Sequence, residues 1–233
     1  MPQSAAGKPP TRRQLAAQQT RQKLLHAALA CFSERSYTEV TVGDIARSAG
    51  VAHGLLSHHF EGKESLYAEA VRELDHQLRA ATRISPDGHV VERLRRHLSA
   101  HLRFLAEHRD AALNLILRRA EATDLAWEAF ESTRLEGVRT ICDLLGLDAD
   151  EPALQLSLRG FSAACDEMAR DWLRNSRALE IEALVDACVT FLTAAVQAAY
   201  GLAPSPALSQ ALQALRQGAP SGAGEVVPER EEA

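Results

Sequence analysis

Three histidines, His53, His58 and His59, crowd one short stretch of the sequence, TVGDIARSAGVAHGLLSHHF. An imidazole can ligate a metal, move a proton near neutral pH, or donate to a phosphate or a base edge. Neighbouring residues of a helix point in different directions, so His58 and His59 do not converge on one ion. No acid or cysteine stands near them at ligand spacing. The chemistry left is a surface aimed at a polyanion. His97 and His101 do fall one helical turn apart, but a third ligand is missing, and they read as a surface pair. The four cysteines, Cys31, Cys142, Cys165 and Cys188, form no CxxC pair. Each sits in an apolar helical pattern and reads as core filling. No metal and no cofactor is expected.

Catalytic patterns are missing as well. The chain has no GxSxG, HExxH, Walker or Rossmann signature. Asp166, Glu167 and Asp171 read as pairing partners for Arg170 and Arg174 on one helix. No catalytic residue is assigned, and the expectation is that the protein is not an enzyme. A second polar group, Asn114 with Arg118 and Arg119, stands beside Leu113, Ile116 and Leu117. It could hold an anionic ligand head group. Phe104, Trp127, Phe130, Phe161 and Trp172, with Leu117 and Cys165 near them in the pattern, could line an apolar pocket. A solvated arginine face and ordinary core packing account for the same residues.

The elements that carry these residues all read as helices. Of 233 residues, 46% are hydrophobic and 24% charged, as in globular domains. No apolar run is read as reaching the ~18–20 residues of a membrane span. The first residues lack the apolar block of a secretory signal, so the expected location is the cytoplasm, with no membrane partner. Residues 1–63 carry eight Lys/Arg and four Asp/Glu, a balance of +4 against −9 for the rest of the chain. A basic head on an acidic body suggests that the head meets an anion.

Residues 1–17 are polar and unpatterned and read as a disordered basic arm, whose Lys8, Arg12 and Arg13 could follow DNA. Helical spacing then predicts helices over 18–34, about 41–48 and 52–58, and from Lys63 to about 83. Ser85-Pro86-Asp87-Gly88 is a turn. Further helices are predicted over 90–107, 110–119, 124–145, 151–174 and 180–200. Thr41 reads as an N-cap, with Asp44 on the positive helix end. Gly50 can take the left-handed conformation that ends a helix. Residues 203–233 read as a flexible tail, with room for a stray helical turn over Leu208–Arg216.

Two short helices across a tight glycine turn match a helix-turn-helix, whose second helix enters the DNA major groove. Ile45, Ala46, Val51 and Leu56 would lock the pair together. That leaves His53, Gly54, Leu55, Ser57 and His58 to face outward, and Gly54 lets the backbone approach base edges. From about Gln18 to Gln77 the chain resembles the DNA-binding domain of the TetR family of transcriptional regulators. The resemblance rests on RQKLLHAALACFSERSY, on T-V-x-D-I-A-R-x-A-G-V, on G-L-L-S-H-H-F and on GKESL.

The resemblance implies an all-α fold: a three-helix head followed by a helical-bundle body of about six helices. It implies an N-terminal DNA-binding domain over 18–78, its helix-turn-helix at 41–60, and an effector-binding and dimerisation domain over 79–202. Thr41 falls where the family caps its second helix near a phosphate, beside Val42 and Gly43. His53 and Gly54 fall at base-reading positions, His59 at a backbone-contacting position and Lys63 at a phosphate-contacting one. The chain departs from the family pattern at Ser57, where tyrosine is usual, at Ala52, where a hydroxyl is usual, and at Gly43, where a basic residue is frequent.

A palindrome reader needs two-fold symmetry. The apolar stripes Leu154, Leu158, Met168 and Trp172, and Leu184, Cys188, Leu192 and Ala195, are therefore expected to form a dimer interface. The competing reading is that they only close the monomer's own core. The functional expectation is a homodimeric repressor on palindromic double-stranded DNA, released by a small amphipathic or lipophilic effector. A DNA-binding factor without an effector is the alternative.

Overall fold

A computed structural model describes residues 11–117, 124–175 and 178–218. Among them every regular element is helical, as expected. The chain divides into two compact units. The first gathers the residues up to Arg83, Ala100–Gly137 and Asp166–Ala178, and the second Ile84–Ser99, Val138–Cys165 and the residues from Leu179 on.

In the first unit, α1 spans Arg12–Glu34. Residues 11–17 are thus not the disordered arm expected of them; Met1–Pro10, with Lys8, lie outside the described residues. The reason is a capping box: Thr11 accepts from the Gln14 amide, and the Gln14 side chain accepts from the Thr11 amide. Arg12 and Arg13 are exposed on that first turn. Farther along, Leu24, Ala27, Ala28, Cys31 and Phe32 bury one face at helical spacing. Val40, Ile45, Ala46, Leu56, Phe60, Leu66 and Ala70 are buried too, and complete the head core. α2 is Val42–Ala49, α3 is Gly54–His59 and α4 is Lys63–Ala81, so the boundary expected at residue 78 falls inside α4.

Also in the first unit, the helix expected over 110–119 is interrupted. α6, Arg109–Ala111, runs into a π turn over Ala112–Ile116, where the Leu117 amide donates to Ala112 O at 2.8 Å. The wider turn redirects carbonyls, and side chains take them up. Tyr67 Oη donates to Asn114 O at 3.3 Å, and Arg170 Nε donates to Leu117 O at 2.8 Å. The Asn114 amide in turn donates to Ser33 O at the end of α1, at 2.6 Å.

α5 (Val90–Glu107), α7 (Asp124–Leu145) and α8 (Pro152–Arg174) contribute to both units. Pro152 sits at the first position of α8, and the Glu151 carboxylate accepts from the Ala153 and Leu154 amides. In the second unit, α9 (Ile181–Leu202) buries Leu184, Val185, Cys188, Val189, Leu192, Ala195, Val196 and Ala199, one broad face of the helix. Contrary to the sequence expectation, α9 is long and apolar enough, by length and composition alone, to cross a membrane. Its acids, Glu182 and Asp186, lie near its N-terminus, which leaves the remainder uninterrupted.

Packed on α9 is a helix where a flexible tail was expected: α10, Pro206–Gln217. Ser205 caps it, with Pro206 at the first position, and Leu208, Ala211, Leu212 and Leu215 are buried. Gly218 ends α10 against Val91, where a Cβ would clash. Residues 219–233 lie outside the described residues.

Candidate DNA-binding interface

Thr41 opens α2 with a complete capping box. Its hydroxyl accepts from the Asp44 amide at 3.1 Å and donates to the Asp44 carboxylate at 2.7 Å; its own amide donates to that carboxylate at 3.0 Å. These bonds, with Arg35 and Arg47 beside the carboxylate, hold the Asp44 pKa down at about 2. Gly50 then adopts φ 65°, ψ 35°, which a glycine reaches without steric cost. The Val51 amide donates to Ala46 O at 3.0 Å, closing the turn.

Beyond the turn, Leu56 is fully buried against α2 and α1. The outward row is Ala52, His53, Gly54, Ser57 and His58, all exposed. They form one continuous face, because Ser57 and His58 lie one turn after His53 and Gly54. His53 is the N-cap of α3 rather than part of it, and its side chain makes no capping bond. Gly43 lies beside it: a Cβ there would stand 3.9 Å from His53 Nδ1 and 3.7 Å from Thr41 Oγ1. The start of α2 and the start of α3 thus present one surface. His59 is half-buried, its ring edge-on to His58 at 5.0 Å.

Lys63 differs from a free phosphate-seeking side chain. Nζ donates to Tyr37 O at 2.9 Å and Val40 O at 3.1 Å, and lies 4.0 Å from the Tyr37 ring centre. Two of its three donors are committed, so it ties the α1–α2 connection to α4. Arg47 was missed in the sequence reading. It pairs with Asp44 at 3.1 Å while 80% of its side chain remains exposed. Its place three residues after a capping acid was legible; its exposure was not.

This geometry can be set beside known proteins. The family described as "Bacterial regulatory proteins, tetR family" matches residues 24–70. The chain carries a TetR-family head. A probable acrEF/envCD operon repressor of Escherichia coli K12 is 27% identical over 188 residues, 72% of this chain and 84% of the relative. The HTH-type regulator BetI of Klebsiella pneumoniae is 36% identical over 78 residues, and there the match spans only 40% of the relative.

Two solved structures share the fold. A tetR-family transcriptional regulator from Streptomyces coelicolor superposes with a TM-score of 0.72 at 24% identity, covering 88% of this chain and 91% of that one. FadR of Bacillus subtilis, solved in complex with stearoyl-CoA, gives 0.57 at 24% identity, covering 73% and 96%. Residues 24–70 thus match the DNA-binding head of TetR-family regulators, and the relatives similar to the rest of the chain are named as transcriptional regulators or repressors.

The other expected sites come out unevenly. In the first unit, Leu117 and Phe104 are buried, and Phe104 stacks on His108 at 4.2 Å. Phe130 is buried, and Trp127, 5.5 Å from it, is 38% exposed. Asn114 spends its amide on Ser33 O, so it is not a free ligand-binding group. Arg118 lies outside the described residues, as does Arg119. Phe161 and Cys165 belong to the second unit. A groove of about 590 Å³ between α9 and α10, lined by Gln197, Tyr200, Leu212 and Arg216 among others, includes none of the expected pocket residues.

The expected dimer stripe is largely buried. Leu154, Leu158, Trp172, Leu184, Cys188, Leu192 and Ala195 are all buried within the single chain, and Met168 is half-buried. Most of the stripe therefore packs in the protomer's own core, as the competing reading has it. The acids of α8 also partner differently. Glu167 pairs with Arg170 as expected, but Asp166 takes Arg134 at 2.5 Å, and Asp171 accepts from Asn175. Among the described residues no cluster of three or more His, Cys, Asp or Glu could hold a metal.

Proposed function

We propose that the protein binds a palindromic operator as a homodimer, represses transcription from it, and is released by a small amphipathic or lipophilic effector. The observation that carries the reading is the outward row His53, Gly54, Ser57 and His58, presented on a helix pinned by buried Leu56. Such a helix reads base edges, and two copies must stand about one DNA turn, ~34–36 Å, apart. Thr41, Val42, Gly43, Ala52, His59 and Arg47 frame it for phosphate contacts, with Lys63 holding the frame.

The partner copy takes the outward faces of α8 and α9. Leu156 is 65% exposed and Phe191 42%. Gly160 and Ala194, Ala198 and Gly201 are exposed with them, small enough for helices to approach closely. The effector acts in the first unit. Segments 100–137 and 166–178 cluster there with the head, and the Tyr67–Asn114–Ser33 bonds tie them to α4 and α1. A ligand shifts this arrangement only by as much as it prefers one state over the other. The E. coli operon repressor supports repression, and stearoyl-CoA on the B. subtilis regulator supports a lipophilic effector.

Footprinting of the pure protein on the DNA around its own gene tests the reading. A protected palindrome, lost on adding the effector, is expected. A folded dimer that protects nothing at low salt would overturn it, and an operator complex that no acyl or aromatic amphiphile weakens would remove the effector.

A further inference from the structure

Cys165 on α8 and Cys188 on α9 stand 23 residues apart in sequence, yet Cys165 Sγ donates to Cys188 Sγ at 3.6 Å. Both belong to the second unit. Cys188 is buried and Cys165 half-buried, so Cys165 is the pair's solvent side. The other two thiols are placed differently. Cys31 is buried in the head core. Cys142 is buried beside Asp143 and Asp148; burial first, then those acids, push its pKa to about 11, so it stays a thiol at neutral pH. Cys188 moves the opposite way. The hydrogen bond from Cys165 favours its thiolate and outweighs burial.

We propose that Cys165 and Cys188 are a site of reversible oxidation by hydroperoxides, closing to a disulfide that links α8 to α9. The Cys188 thiolate attacks one oxygen of hydrogen peroxide. The O–O bond breaks, hydroxide leaves, and Cys188 becomes a sulfenic acid. The Cys165 sulfur then attacks that sulfur, giving up its proton. The S–O bond breaks, and the oxygen leaves as water. The two sulfurs lose two electrons, and peroxide is reduced to two waters. Bond formation at ~2.05 Å asks the sulfurs to approach by about 1.5 Å, within reach of rotamer change and a small slide of α8 on α9. Phe191 lies one turn after Cys188, so the bond also alters the face assigned to the partner copy. That consequence rests on the dimer reading; the disulfide does not.

The test reads thiols and needs no DNA. Reduced, full-length protein is treated with hydrogen peroxide and quenched with N-ethylmaleimide. The expected result is a fall in titratable thiols from four to two in the denatured protein, a single-chain product without reductant, and a Cys165–Cys188 cross-linked peptide by mass. Dithiothreitol should restore all four. Cys165→Ala should leave a dimedone-reactive sulfenic acid on Cys188. Four thiols persisting under peroxide that oxidises free cysteine would overturn the proposal. So would losses mapping to Cys31, to Cys142 or to bonds between chains. The wild-type readouts stand whether or not the variant folds.

Discussion

His53 sits where two helix starts converge, with no capping bond to spend its side chain on. Its replacement by Ala should cost about 1–3 kcal/mol at one base pair and leave other sequences nearly unaffected; competition binding across single-base operator variants measures this. An equal loss on every sequence would assign His53 to the phosphates instead. Lys63 has two separable roles. Lys63→Ala should lower Tm through the lost carbonyl anchor and flatten the salt dependence of DNA binding by about one counterion. A lowered Tm with an unchanged salt slope would leave the anchor as its only role.

Asp44 makes a pH prediction at the same scale. Its folded pKa, about 2, lies below the ordinary aspartate value of 3.8. Its contribution to stability is therefore present above that value and is lost as pH falls from 3.8 towards 2. Melting curves between pH 5 and 2 should show the loss, and Asp44→Asn should flatten it over that window. The outward row His53, Gly54, Ser57 and His58 was legible because the glycine turn and buried Leu56 fix which face is left. The carbonyl partners of Lys63 were not, since they lie 26 and 23 residues away.

At the scale of elements, termini carried the signals that mattered. Thr11-x-x-Gln14 and Ser205-Pro206 are both helix starts. Read as such, they would have moved α1 forward and turned a presumed tail into α10. The buried positions Leu208, Ala211, Leu212 and Leu215 keep helical spacing, which reads as a stray turn until the cap at Ser205 and the packing on α9 extend it. Truncation after Ala203 should expose the α9 face that α10 covers and cause association, visible as light scattering on mild heating. The Cys165–Cys188 contact could not be read at all, because only the packing of α8 on α9 brings the sulfurs together. Nor could the π turn, which follows from where Tyr67, Arg170 and Ser33 place their polar groups. Asn114→Ala should cost about 1 kcal/mol of stability by leaving Ser33 O without that donor. It should also blunt the effector response more than it weakens operator affinity.

For the whole molecule, the dimer reading turns on which residues keep surface. Phe191 and Leu192 are neighbours with opposite fates, 42% and 0% exposed. Phe191→Glu should give a folded monomer, detected by sedimentation, with helical content unchanged and palindrome protection lost. Leu192→Glu should unfold the second unit instead. If Phe191→Glu remained dimeric, the partner would have to sit elsewhere. The stripe periodicity was right as a core signal. As an interface signal it is ambiguous, because inward-facing and partner-facing stripes share one spacing and burial in the single chain separates them.

The π turn at Ala112–Ile116 also bears on lineage. It holds one residue more than an α-helical path would need. A helix can absorb such an insertion locally, with everything downstream kept in phase. Without it, each later side chain would rotate by about 100° around the axis. Aligned relatives should therefore show a one-residue gap here, and those that lack the extra residue should also have dropped the hydroxyl of Tyr67 or the guanidinium of Arg170. Chain length at this point, more than residue identity, would then mark which descendants kept the same connection between head and body.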